Sequence, residues 1–285
     1  MGAVLHRRLG ELVADLHVRD GEIRDRVPDG VHQARVTSRR LRSALTTFRP
    51  VLVREVTDPI RGDLRWMSLG LGDARDAEVV QSRLHRLIPE EARPQELEEV
   101  IRRTDEVVEE ISREAQVKVD DTLSTYRYHA LLASLDRLVA EPPWAKAASQ
   151  PAEKVLERRL HKEQRRLDRR VRLAREVHDQ PAAYDHAMHD VRKSAKRLRY
   201  AYEVAEPVLE VPEHRAAARE VTRLLGERQD TVLTRHLLPR IEAAAAAAAE
   251  DTEAYRRLHA HEEQRAARLA DDALHLLRVE LSIVS

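Results

Sequence analysis

The chain has 285 residues, with 50 Lys+Arg against 50 Asp+Glu, no Cys, and only one Phe, two Trp and six Tyr. With 35% charged and 42% hydrophobic side chains and so few aromatics, Gly and Pro, it reads as an all-α protein of about two domains, and sandwiches and barrels are excluded. Zero Cys excludes disulfides, thiolate metal sites and Cys nucleophiles, and zero net charge excludes a general attraction to polyanions unless charge is segregated.

At the start of the chain Arg7, Arg8, Glu11 and Asp15 break any apolar core that a signal peptide would need. The longest uncharged small-residue run, 243–249, falls far short of the ~20 apolar residues of a membrane helix. A soluble cytoplasmic protein with no membrane partner is therefore expected. Helical spacing of apolar residues is clear in Leu5, Leu9, Leu12 and Leu16, then in Leu41, Leu45 and Phe48, then in Leu84 and Leu87. Asp58-Pro59 reads as an N-cap followed by Pro at the first helical position, and Val211-Pro212 as another helix start. Glu141-Pro142-Pro143 reads as a stop, and with the softer stretch 145–151 it predicts a boundary between helical bundles at 1–145 and 146–285. The Ala tract 243–249 is expected to be helical, because Ala is the strongest helix former and charged turns flank it.

An internal repetition organises the chain. His32-x-x-Arg35-x-x-x-Arg39-Arg40-Leu41-Arg42 matches His189-x-x-Arg192-x-x-x-Lys196-Arg197-Leu198-Arg199, and each copy is followed by Pro-Val-Leu, at Pro50 and Pro207. Val4-Leu5-x-Arg7-Arg8-Leu9 precedes the first copy as Val155-Leu156-x-Arg158-Arg159-Leu160 precedes the second. Downstream, Arg61 and Arg65 pair with Arg215 and Arg219, and Leu71-Gly72-x-x-x-Asp76 with Leu225-Gly226-x-x-x-Asp230. The chain reads as two copies of one helical unit.

At about 100° per residue, Arg35, Arg39 and Arg42 share one broad face with His32, with Arg40 at its edge, while Ala34, Leu41, Leu45 and Phe48 form the opposite apolar stripe. Residues 31–54 hold six Arg and no acid, although like charges at i,i+3 and i,i+4 destabilise a helix by a few tenths of a kcal/mol each. The second copy is similar, with Arg192, Lys193, Lys196, Arg197 and Arg199 near the single acid Asp190. One basic run is ordinarily a solvated face. Two matched runs suggest an external anion, and the guanidinium fork suits phosphate oxygens. A third basic segment, 158–170, mixes seven bases with Glu157, Glu163 and Asp168, so a solvated face is its simpler reading; Arg158, Lys162, Arg165 and Arg169 nevertheless share one side. Arg158, Lys162 and Arg165 join Arg61, Arg65, Arg215 and Arg219 as a second tier of candidate contacts.

The repeated His-x-x-Arg-x-x-x-Arg-Arg-Leu-Arg pattern, with Leu71-Gly72-x-x-Arg75-Asp76 after the first copy, resembles the CHAD family, the conserved histidine α-helical domain, over essentially the whole chain. The resemblance implies two four-helix bundles related by a pseudo-twofold, a basic central channel, and binding of inorganic polyphosphate, with association with polyphosphate granules. It places His32, Arg35, Arg39, Arg40 and Arg42 on the first signature helix, and His189, Arg192, Lys196, Arg197 and Arg199 on the second, with Lys193 beside them. In the second copy Arg228-Gln229-Asp230 replaces Ala74-Arg75-Asp76. No Glu-x-Glu-x-Lys triphosphate-tunnel motif occurs, so no attached hydrolase is implied.

Two rival chemistries use the same residues. His186-x-x-His189, or His259-x-His261 with Glu262 and Glu263, offers metal-ligand spacing, but His32 and His189 lie among cations that disfavour a divalent ion and suit an imidazole donating to an anion. Nucleic acid is the nearer rival, weakened by a lack of aromatic platforms and of broad positive surface. Phosphate-loop, nucleophile-elbow and His-Glu-x-x-His motifs are missing. Asp76 and Asp230 read as braces of a turn after Leu-Gly. A binding protein without catalysis, cofactor or resident metal is expected.

Overall fold

The computed structural model describes residues 1–280. They form ten α-helices: α1 (Gly2–Arg24), α2 (Gly30–Thr47), α3 (Arg54–Gly70), α4 (Gly72–Glu91), α5 (Leu97–Ser124), α6 (Tyr126–Ala140), α7 (Ala152–Glu176), α8 (Pro181–Ala205), α9 (Pro212–Ala247) and α10 (Glu253–Glu280). The all-α expectation holds for these residues, which contain no strand beyond the isolated bridge between Leu52 and Trp144. None of the described helices is long and apolar enough to cross a membrane.

Helix boundaries follow local chemistry, with three departures from expectation. α6 stops before Pro142-Pro143 and α9 starts on Pro212, as a residue without an N–H dictates. Pro59, however, lies inside α3. The helix begins earlier because the Val53 carbonyl accepts both the Thr57 N–H at 3.3 Å and its hydroxyl at 3.1 Å; exposed Pro59 then forfeits one backbone bond. Asp58 is no N-cap and instead accepts from Arg61 and Arg49.

The second departure concerns Leu-Gly. Leu71 does separate α3 from α4, but Leu225-Gly226 is embedded in uninterrupted α9, so Asp230 braces no turn there and Asp76 sits one turn inside α4. The third is the end of the Ala tract. α9 stops at Ala247, and Ala249 adopts φ 57°. Its N–H donates to the Ala246 carbonyl at 3.1 Å and that of Glu250 to Ala245 at 3.0 Å, the Schellman pattern in which Gly is usual. Arg103 and Arg102 hydrogen-bond Glu250 and hold its carboxyl down to about 2 against the opposing effect of burial.

The helices group into two compact units. One comprises Met1–Gly70, Asp121–Thr222 and Leu274–Ser285; the other comprises Leu71–Asp120 and Arg223–Ala273. This grouping follows spatial contact, whereas the 1–145 and 146–285 division follows sequence repetition.

Within the first unit α2 packs against α1, α3 and α8, and α8 against α7. The expected apolar stripes are its core: Leu5, Leu9 and Leu16 of α1, Ala34, Leu41 and Leu45 of α2, and Phe48 just past its end are at most 1% exposed. Each such Leu contributes roughly 1.5–3 kcal/mol by leaving water. Small polar residues let α3 approach α2 closely, since Ser38 donates to the Leu64 carbonyl at 3.1 Å and meets Ser68 at 2.9 Å. At the end of α3 a Cβ on Gly70 would lie 2.2 Å from the Thr122 hydroxyl, so only Gly fits there.

The second unit has its own core, in which Val80, Leu84 and Ile88 of α4 meet Val100 and Val107 of α5, Leu238 and Ile241 of α9, and Tyr255 and Leu258 of α10. A buried ion pair crosses it: Arg83 Nε donates to both Glu262 oxygens at 3.0 and 2.8 Å. Glu262→Gln leaves that guanidinium buried without a counter-ion, and a urea melt should show a loss of about 3–5 kcal/mol; Arg83→Met with Glu262→Leu should restore much of it. The two glycines should respond oppositely to alanine. Nothing lies within 4 Å of a Cβ on Gly226 inside α9, so Gly226→Ala should gain about 0.5–1 kcal/mol in the same assay, while Gly70→Ala should lose stability.

Candidate functional site

Burial of the apolar stripes decides where the basic faces go. On α8, Met188, Val191, Ala195 and Leu198 are at most 1% exposed, which turns His189, Arg192, Lys193, Lys196 and Arg197 away from that core. On α3, buried Ile60, Leu64 and Met67 leave Arg61 and Arg65 on the other side. Because α2 touches both α3 and α8, these faces converge within the first unit on a cavity of about 600 Å³. Its wall comprises Arg39, Arg42, Ser43 and Thr46 of α2, Asp58, Arg61, Gly62 and Arg65 of α3, Arg166 of α7, and His189, Arg192, Lys193, Lys196, Arg197 and Tyr200 of α8. Nine Arg and Lys thus face one carboxylate.

Internal acids neutralise part of this charge. Arg61 donates to Asp58 at 2.7 Å and to the Thr46 hydroxyl at 3.0 Å. Burial would raise the Asp58 carboxyl, but the hydrogen bonds from Arg61 and Arg49 hold it below its ordinary range. Arg197 forms an ion pair at 2.9 Å with Glu163, whose side chain is 2% exposed, and Lys193 lies 2.5 Å from Asp190. Burial, outweighing the attraction of Glu163, pushes the Arg197 guanidinium below its usual value, with Arg166 and Arg61 adding repulsion.

Arg39, Arg42 and Arg65 have no ion-pair partner among the described residues. Burial, followed by repulsion from Arg65, Arg61 and Arg39, pushes the Arg42 guanidinium down. The α2–α3 side of the cavity therefore holds charge that an anion would relieve.

Not every expected residue reaches this wall. Arg40 and Arg199 turn with Arg8 to Glu203, at 3.3, 3.7 and 2.7 Å respectively. The Tyr200 ring lies 4.7 Å from the Arg199 guanidinium and 6.0 Å from that of Arg40. Arg40 leaves the other arginines because it sits at the edge of their face, where α1 and α8 pack. His32 and Arg35 are half-buried on the first turns of α2 and do not line this cavity. Of the second tier, Arg61 and Arg65 join the wall, Arg215 pairs with Glu206, Arg219 is exposed, and Arg158, Lys162 and Arg165 lie on the solvent side of α7.

Arg166 is the one wall cation outside the residues expected from the sequence, and Ser43, Thr46, Asp58 and Gly62 join it there. It adjoins buried Leu167 and stands three residues after buried Glu163, so the apolar register of α7, Leu156, Leu160 and Leu167, was the signal that placed it at the edge of the packed face. The same register shows that Glu163 is no member of a mixed solvated face but a buried counter-ion.

Two of the rival metal-ligand candidates have other occupations. His261 Nδ1 lies 2.7 Å from Glu91 and Glu262 holds Arg83. Among the described residues no group of three or more His, Cys, Asp or Glu is placed to hold a metal ion.

Several known proteins are similar to this chain. An uncharacterized protein recorded from two strains of Mycobacterium tuberculosis is 32% identical over 282 residues, which cover 96% of this chain and 52% of that protein. The chain thus spans about half the length of the curated relatives it matches. Among solved structures, PptA from Streptomyces chartreusis has a TM-score of 0.76 at 17% identity, covering 98% of this chain and 99% of its own. The CHAD domain from the plant Ricinus communis has a TM-score of 0.72 at 22% identity, covering 100% and 92%. At such identities these two structures carry the fold alone. The sequence model of the CHAD domain matches residues 7–239, well over half of the chain, and with that match the chain belongs to the CHAD domain family.

Proposed function

We propose that the cavity binds inorganic polyphosphate through charge-assisted hydrogen bonds, without catalysing its cleavage. The observation that carries this reading is the excess of cations around one cavity, nine against one, with Arg39, Arg42 and Arg65 lacking an internal counter-ion. A linear chain of phosphates presents closely spaced oxygens and no bases, which matches a wall of guanidinium and ammonium groups with hydroxyls from Ser43 and Thr46 between them. Tyr200, the aromatic on this wall, is 5% exposed and stacked by Arg199, so it offers no platform to a nucleobase. That favours polyphosphate over a single-stranded nucleic acid.

The matched motifs support a finer reading of the architecture. We take α2 and α8 as equivalent helices of an internal repeat, two bundles related by a pseudo-twofold, with the cavity as part of a basic channel. A polyphosphate-bound role at granules follows from the family resemblance. His189, on the same wall, would act as a further donor to the anion.

Binding to long-chain polyphosphate, measured by calorimetry or anisotropy, should separate the two destinations of arginine on α2. Arg42→Gln should weaken binding by about tenfold to a hundredfold, since a charge-assisted hydrogen bond is worth about 1.5–3 kcal/mol. Arg40→Gln, whose partner is Glu203, should change it less than threefold; equal losses would remove the cavity from the reading.

The chemistry of the wall makes a second set of outcomes. Binding should survive EDTA and fall steeply with rising salt, because cations on the protein displace counter-ions from the phosphates. Prolonged incubation with Mg²⁺ or Mn²⁺ should leave chain length unchanged on a gel, and progressive shortening that Arg39→Ala abolishes would identify an enzyme instead.

A further inference from the structure

The cavity does not use the opposite side of α7. Leu156, Leu160, Glu163, Leu167 and Val171 bury one face of this helix. Arg158, Lys162, Arg165 and Arg169 are all exposed and, at about 100° per residue, fall within some 60° of one another on the other side. The four make no ion pair among the described residues. The one acid at i,i+3 or i,i+4 spacing from any of the four, Asp168, is taken by Arg172. Over 11 residues the stripe runs about 16 Å.

The stripe leads to the cavity. Arg158, Lys162 and Arg166 form an i, i+4, i+8 row, in which successive side chains stand about 5–6 Å apart at Cβ. Arg166 lines the cavity while Lys162 and Arg158 step outward to solvent. Such a row offers continuous cationic contacts from the wall to the outside. A solvated face gains stability from acids at i,i+3 and i,i+4 to its bases; Glu157, beside Arg158, stands at that spacing from His161 instead, and apart from Asp168 the four bases have no acid at it.

We propose that the solvent-facing side of α7 is a second anion-binding surface, an external track that holds the part of a long polyphosphate chain lying outside the cavity. The inference rests on the polyphosphate reading of the cavity. A chain that engages both places converts the second contact into an intramolecular one, so the track favours long chains over short. The cavity selects the anion, and the track adds affinity with length.

The test uses the full chain, with tripolyphosphate as the short probe and long-chain polyphosphate as the long one. Replacing Arg158, Lys162, Arg165 and Arg169 together by Gln keeps strong helix formers at exposed positions, and a melting curve checks the fold. Long-chain affinity should fall about tenfold at moderate salt, and the slope of log K against log salt should drop by about 3, from some 0.7–0.9 per lost contact. Tripolyphosphate affinity should stay within twofold of the parent. Restoring charge with Lys at all four positions should recover long-chain binding. An unchanged long-chain affinity, or equal weakening of both probes, would overturn the track. So would loss of duplex DNA binding with polyphosphate binding intact, which would make this a nucleic-acid face. Arg42→Gln tests the cavity separately: if it spares tripolyphosphate while the α7 variant still loses the long chain, the cavity reading fails and the track stands. A parent protein that binds neither probe would remove both.

Discussion

Guanidinium groups crowded at half-buried positions repel one another and lose hydration, and a helical protein can hold them there only if burial elsewhere on the same helices is strong enough to outweigh the repulsion. In the first unit that burial comes from stripes of Leu, Val and Ala whose members are almost wholly withdrawn from water. Each helix is forced to present its other side, and on α2, α3 and α8 that side is basic. The cavity is thus a consequence of where the apolar residues had to go. The crowding of Arg42 by Arg39, Arg61 and Arg65 is the cost that packing imposes, and an anion is its natural relief.

A chain with equal numbers of acids and bases reaches this state by uneven placement rather than by surplus. Elsewhere many arginines meet a carboxylate one helical turn away, as Arg19 does with Asp15 and Glu22. Around the cavity the acids are few and specifically placed. Glu163 is buried behind Arg197, and Asp58 bridges Arg61 and Arg49 at the wall itself. These acids hold individual guanidiniums in place without cancelling the field, because each fixes the cations nearest to it and leaves the α2–α3 side positive. Glu203 does the opposite and gathers Arg8, Arg40 and Arg199 into a cluster apart from the wall.

The chain belongs to the CHAD domain family, and within it packing selects which bases reach the cavity. The expectation that every base of a signature helix serves one site does not survive packing, since a helix surface is round and a cavity sees only part of it. Arg39 and Arg40 are neighbours in sequence yet point about 100° apart, one to the cavity and the other to Glu203. The same geometry brings in Arg166 from α7, whose adjacent residue Arg165 faces solvent.

Local periodicity carried much of this in the sequence itself. The all-α class, the core positions on α1 and α2, the stop before Pro142-Pro143, the start at Pro212 and the acid-free run 31–54 are each set by residues within a few turns of one another, where helical geometry alone relates them. Where Pro59 and Gly226 would fall was not legible, because a helix tolerates one lost bond or one small residue when flanking turns continue it. Which cations share a cavity, and which are neutralised by an acid distant in sequence, was decided only by tertiary structure. Arg197 and Glu163 are 34 positions apart, and Arg8 and Glu203 are 195 apart. Electrostatic pairing acts over a few ångströms of space, and the packing of α7 and α1 against α8, not their order along the chain, brings those charges within reach.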